Sequence, residues 1–171
     1  MIDLKPACRE LATLVAGVTD DQLSRPTASD GWTVRGLLDH LEQVAGGFAG
    51  IAGSEPEIPD DADSVARILA LGRAWDDPAA WQGRSGEGVL DLPRALWGRI
   101  ALTEVVVHGW ELGRAVDRPF APPEDSLKVC LEHVLAFLPN APVPEIWGPP
   151  VEISVDAPLI DQVVAATGRR P

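Results

Sequence analysis

The chain has 171 residues, 46% of them hydrophobic, and carries 14 basic against 26 acidic side chains for a net charge of −12. That is enough for one domain with a sizeable core. A surface this acidic repels nucleic acid, and no apolar run approaches the ~20 residues a membrane helix needs.

The first segment, Asp3 to Val18, reads as an amphipathic helix with Leu4, Cys8, Leu11 and Val15 on one face. It follows Met1 directly, with no leader pattern, so a cytoplasmic location is expected. A loop from Thr19 to Gly31 contains a short turn at Asp20 to Leu23. Thr33 suits the N-cap of a second helix over Val34 to Ile51. Its apolar stripe is read as Leu37, Leu41, Val44, Phe48 and Ile51, with His40 pointing along it into the core and Gly36 and Gly47 leaving room around the ring. Gly53 to Asp61, rich in proline and acid, reads as a linker. A third helix is expected over Asp63 to Trp75, capped by Asp61 or an adjacent aspartate.

Asp76 to Leu92 reads as loop, with a glycine-rich turn at Gly83 to Gly88. Pro93 suits the first turn of a long helix reaching Val116. Pro119, Pro122 and Pro123 end that stretch. A further helix covers Glu124 to Leu138 with Leu127, Leu131, Val134 and Leu138 inward. A proline-dotted connection follows, with a short strand expected at Val151 to Val155, then a last helix near Leu159 to Thr167. The expectation is an all-α four-helix bundle with an extra C-terminal helix and a Pro-rich connection. Cys8 and Cys130 stand far apart with no CxxC spacing and read as small core residues in a reducing compartment.

The chemistry concentrates in Ala101-Leu-Thr-Glu104-Val-Val-Val-His108-Gly-Trp110-Glu-Leu-Gly-Arg114-Ala. Glu104 and His108 are four apart, hence neighbours on one helical face. A carboxylate among Leu102, Val105, Val106 and Val107 is costly to bury without compensation. A divalent metal held by Glu104, His108 and a third ligand would supply it, and His40, one of only three histidines, is the source of that ligand. Three protein ligands with positions left open mark a catalytic rather than a structural metal site. The same residues also suit a surface i,i+4 pair and a hydrogen-bonded core histidine. Glu111, three after His108, is a candidate to accept its other N–H, against a solvated glutamate. Arg114 is a candidate for a substrate carboxylate, against an exposed arginine favourable to the helix dipole. Trp32 and Trp110 read as bundle packing, and His133 as a helix-surface or core residue.

Three segments carry a resemblance to a known family. Arg25-Pro-Thr-Ala-Ser-Asp-Gly-Trp32-Thr-Val-Arg35-Gly-Leu-Leu-Asp-His40-Leu is similar to its PT…W(T/D)VRxLLxHL opening. Glu104-Val-Val-Val-His108-Gly-Trp110-Glu-Leu-Gly-Arg114-Ala is similar to its ExxVHGWDLARA helix, with Glu111 and Gly113 in place of Asp and Ala. The tail from Asp156 through Thr167-Gly-Arg-Arg-Pro171 resembles that of its short members. The family is the DinB-like metal-binding superfamily, in the actinobacterial branch related to the N-terminal domain of mycothiol-dependent maleylpyruvate isomerase.

The resemblance implies that His40, Glu104 and His108 bind a divalent metal; two imidazoles and a carboxylate suit Zn, Ni, Fe or Mn alike, and Zn is expected first and Ni second. It further implies use of a low-molecular-weight thiol such as mycothiol or bacillithiol. The expected function is a metal-dependent thiol transferase or isomerase acting on a small electrophilic molecule. The alternatives are a hydrolase using metal-bound hydroxide and a non-catalytic metal-binding or small-molecule-binding bundle. Residues 1–171 are expected to form a single DinB-like domain without the second, C-terminal domain of the isomerase. Partners are expected to be a small-molecule substrate and, at most, a second copy of the chain.

Overall fold

The structure is a computed structural model that describes residues 1–29, 31–53, 62–141 and 147–171. Its helices are α1 (Lys5–Ala16), α2 (Val34–Ile51), α3 (Ser64–Ala74), α4 (Arg94–Ala115), α5 (Glu124–Phe137) and α6 (Leu159–Ala166). The four-helix bundle is the ring in which α1 and α2 each pack on both α3 and α4; α5 and α6 pack together and cover the outer side of α4. This placement explains α4. A helix enclosed on all sides needs no polar face, and every residue from Ala101 to Gly113 is buried.

The helix ends follow the sequence. The Gly36 N–H donates to the Thr33 hydroxyl at 3.3 Å, so Thr33 caps α2. Asp63 caps α3, accepting from the Ala66 N–H at 2.8 Å; Asp61 lies outside the described residues, as does most of the linker expected at Gly53 to Asp61. Pro93 stands just before α4 rather than in its first turn. The stretch between α3 and α4 is not all loop: Pro78–Trp81 and Gly88–Leu90 are 3-10 turns. Two-residue strands β1 (Arg84–Ser85) and β2 (Leu92–Pro93) pair antiparallel, Arg84 opposite Pro93. No strand forms at Val151 to Val155: residues 151–154 are irregular, and the Val151 N–H donates to the Ala165 carbonyl of α6 instead. An alternating apolar pattern makes a strand only when a partner edge is available.

Two buried stripes also differ from the periodicity. On α2 the buried face is Val34, Leu37, Leu41, Ala45 and Ala49, an i,i+4 row that leaves Val44, Phe48 and Ile51 half-buried. His40 therefore sits at the edge of the core, its side chain 31% exposed. Gly47 is exposed, and a Cβ there would meet nothing within 4 Å. At Gly36 it would meet only Thr33, so neither glycine makes room for the imidazole. On α5 the buried residues are Ser126, Cys130, His133 and Val134, with Leu127, Leu131 and Leu138 half-buried. Cys8 and Cys130 are free and buried, as expected.

The end of the bundle away from His40 is fixed by tryptophans. Trp75 is fully buried and donates its indole N–H to the Phe48 carbonyl at 3.1 Å, while Trp81 donates to the Trp75 carbonyl at 2.8 Å. Each ring, Trp75 buried and Trp81 half-buried, thus satisfies its polar edge. Gly98 of α4 lies flat against this pair: a Cβ would stand 2.6 Å from the Trp81 ring and 2.9 Å from Trp75. We expect Gly98→Ala to destabilise the fold by about 1–3 kcal/mol through overpacking, despite alanine's better helix propensity. A thermal melt that rises in the variant would contradict this packing. Among the described residues no helix is long and apolar enough to cross a membrane.

Candidate metal centre

The site lies where α2 crosses α4. His40 projects from α2, and Glu104 and His108 from successive turns of α4. One ligand atom from each falls within 4.8 Å of the other two. Glu104 Oε2 is 3.0 Å from His108 Nε2 and 3.6 Å from His40 Nε2. Two donors about 2.1 Å from a tetrahedral ion stand roughly 3.4 Å apart. The two separations from Glu104 bracket that value, and one carboxylate with two imidazoles is a donor set that could hold a transition-metal ion.

Glu104 and His108 are buried, 8% and 5% exposed, and Glu111 is wholly so. Burial pushes the Glu104 carboxyl up, but the hydrogen bonds and charge of His108 and His40 overcome it and hold the group down at about 2. Burial likewise disfavours a charged His108, yet its hydrogen bonds to Glu104 and Glu111 raise it to about 9. A carboxylate oxygen at each ring nitrogen favours the imidazolium, which donates to both, so that in the metal-free site a proton competes for the place a metal would take.

Glu111 is a hub, not a solvated surface residue. Its Oε2 is 2.6 Å from His108 Nδ1, and its Oε1 accepts from the Ser29 hydroxyl at 2.7 Å and from Arg169 Nε at 2.8 Å. Burial opposes its ionisation, but His108, Arg169 and Ser29 hold it at about 2. By occupying Nδ1 this carboxylate turns Nε2 of His108 toward Glu104 and His40, as carboxylates behind ligating histidines do.

Local folding delivers these partners. The loop before α2 turns back on itself: Thr27 N–H donates to the Trp32 carbonyl, Val34 N–H to that of Arg25, and Arg35 N–H to that of Leu23. Ser29 and Trp32 are thereby set over the site. At the other end Gly168, with φ 88°, packs so closely on Gly148 that a Cβ would lie 2.6 Å from the Gly148 Cα. Only glycine permits both the conformation and the approach. The next residue, Arg169, spans from Glu111 to the face of Trp147, its guanidinium carbon 4.8 Å from the ring centre.

Both tryptophans near the site are walls. The Trp32 ring, 37% exposed, meets His40 edge-on at 5.0 Å and lies parallel to His108 at 6.4 Å. Trp147 is 6.4 Å from His108 on a 28° tilt. Trp32 is thus not the bundle packing its sequence context suggested, whereas Trp110, 7% exposed, is. Arg114 is exposed and stands 5.4 Å over Trp110. It lines a surface hollow with Asp117, Arg118 and Phe120 that contains no member of the triad. His133 is buried and stacks on Phe137, and burial followed by the charge of Arg99 lowers it to about 4.

Sequence reasoning assigned no role to Ser29, Trp147 or Arg169. Ser29 and Arg169 lie inside the motif segments, but nothing local to the sequence points to their partners. Trp147 carried no signal.

Residues 4–68 match the family described as mycothiol maleylpyruvate isomerase N-terminal domain. That match contains His40 and stops short of Glu104 and His108. Two uncharacterised proteins of Mycobacterium tuberculosis, from strains CDC 1551 / Oshkosh and ATCC 25618 / H37Rv, are each 32% identical over 111 residues. The alignment covers 61% of this chain and 60% of each relative. No solved structure matches. Over residues 4–68, which supply the first histidine of the site, the chain is similar to the mycothiol maleylpyruvate isomerase N-terminal domain.

Proposed function

We propose that the protein binds one divalent metal through His40, Glu104 and His108 and acts with a low-molecular-weight thiol of the mycothiol type, as a thiol transferase or isomerase on a small electrophile. The observation that carries this reading is the convergence of three donor atoms within 4.8 Å, with His108 Nδ1 already engaged by Glu111 at 2.6 Å. The bound metal would supply a Lewis acid that favours the thiolate over the thiol.

The chain's own residues set the charge balance. With a divalent cation and two neutral imidazoles, Glu104, Glu111 and Arg169 leave the cluster one positive charge in excess. An anionic ligand such as a thiolate neutralises it, whereas a neutral ligand leaves a charge in a poorly solvated place. Trp32 and His40 lie on the exposed side of the cluster and are the way in. Arg169 and Ser29 keep Glu111 ionised, and so keep Nε2 of His108 directed at the centre.

Calorimetric titration of the Zn-loaded protein with mycothiol, bacillithiol and glutathione tests the reading. Saturable binding of at least one thiol is expected, lost in His40→Ala, which removes a half-exposed side chain and should leave the helical content unchanged. Stoichiometric metal with no thiol bound would sink the thiol part. Turnover of ester or amide substrates without any thiol would instead favour a metal-dependent hydrolase.

A further inference from the structure

Trp147 belongs to two places at once. One neighbour of its ring is His108, at 6.4 Å. The ring also lines a cavity of about 530 Å³ between the end of α5, the segment 147–150 and α6. Val134, Leu135, Leu138, Pro149 and Ala166 form much of its wall, and among the described residues none that lines it carries a charge. Leu135 stands 63% exposed at this cavity, a conspicuous position for a large aliphatic side chain in so acidic a protein. The volume is in the range of small-molecule sites, which are mostly apolar with polar groups at one end. Among the described residues Trp147 is the one wall residue that also stands beside the triad, its ring 6.4 Å from that of His108. Arg169 stacks on the Trp147 ring but spends its charge on Glu111, so the described residues offer the cavity no counter-ion to a charged ligand.

We propose that this cavity is a binding site for an uncharged, largely apolar small molecule, and that it holds the apolar body of the electrophile whose reactive end meets the triad. The second half rests on the metal-site reading above. It narrows the substrate class from any electrophile to one with an uncharged aromatic or aliphatic portion.

The test uses 1-fluoronaphthalene as an uncharged apolar probe, followed by 19F NMR on protein loaded with Zn(II) or with paramagnetic Co(II). Saturable binding is expected, weakened tenfold or more by Leu135→Asp, an exposed position where the fold should be untouched, and by Ala166→Phe, which fills the cavity. Co(II) should speed 19F relaxation of the bound probe relative to Zn(II). His108→Ala should abolish that enhancement while leaving probe affinity within twofold. No saturable binding, or affinity unchanged by Leu135→Asp, overturns the site. Saturable binding without relaxation by bound Co(II) overturns its link to the triad. Failure to retain Co(II), read separately by elemental analysis, overturns the metal reading and the substrate assignment with it, while the probe titration still decides whether the cavity binds apolar molecules.

Discussion

Glu111→Ala is expected to destabilise the metal-free protein by about 3–5 kcal/mol, the cost of removing one partner from a buried charge cluster. Glu111 is wholly buried and accepts from His108, Ser29 and Arg169. Its removal leaves a guanidinium and an imidazolium without their carboxylate, and unties the tail and the loop from α4 together. Glu111→Gln keeps the shape and should recover part of the loss, because an amide oxygen can still accept one of these bonds. Both variants should bind metal roughly 10–100-fold more weakly, the usual penalty for losing the carboxylate behind a ligating histidine. Urea denaturation at pH 7 reads the first effect and competitive metal titration the second. A loss of under about 1 kcal/mol in Glu111→Ala would mean the cluster is not formed as described.

Metal affinity should rise about tenfold per pH unit, hence roughly a hundredfold between pH 6.5 and 8.5, and level off near 9. The metal must displace the proton on His108 Nε2, and Glu104 and Glu111 raise that imidazole to about 9 against the opposition of burial. The stability of the metal-free protein should run the other way. A histidine whose folded pKa lies above its unfolded value of about 6.5 contributes stability that is full below 6.5 and lost as pH climbs through 9. Glu104 and Glu111, held down at about 2, contribute stability that is full above about 4.5 and lost as pH falls toward 2. From these groups the metal-free form is most stable near pH 4.5–6.5, while the increment in melting temperature on adding Zn should grow from pH 6.5 to 8.5. An increment that shrinks over that interval would show that His108 is not the group the metal deprotonates.

Much of the site could be read from residue spacing. Glu104 and His108 lie an i,i+4 step apart in a run too apolar for an unpaired carboxylate, and Thr33 marks the start of the helix that carries His40. These are local signals, and the helices they predict begin and end within two residues of those observed. Other features depend on which helix packs where. The buried face of α2 is set by α3 and α4 together, so the row Val34–Leu37–Leu41–Ala45–Ala49 wins over the larger side chains of Val44 and Phe48. Glu111 could be suspected from its three-residue distance to His108. Its ion pair with Arg169 spans 58 positions and depends on the close approach of Gly148 and Gly168, which no periodicity encodes. The same approach brings Trp147 beside His108, and with it the apolar cavity.

The most direct test is the metal content of the purified protein and of His108→Ala by elemental analysis, without added metal. About one equivalent of a transition metal in the parent, absent from the variant, is the predicted result. No metal in either protein, with none taken up on titration at pH 8.5, would contradict the metal centre and leave Glu104, His108 and Glu111 as a buried ion-pair network alone.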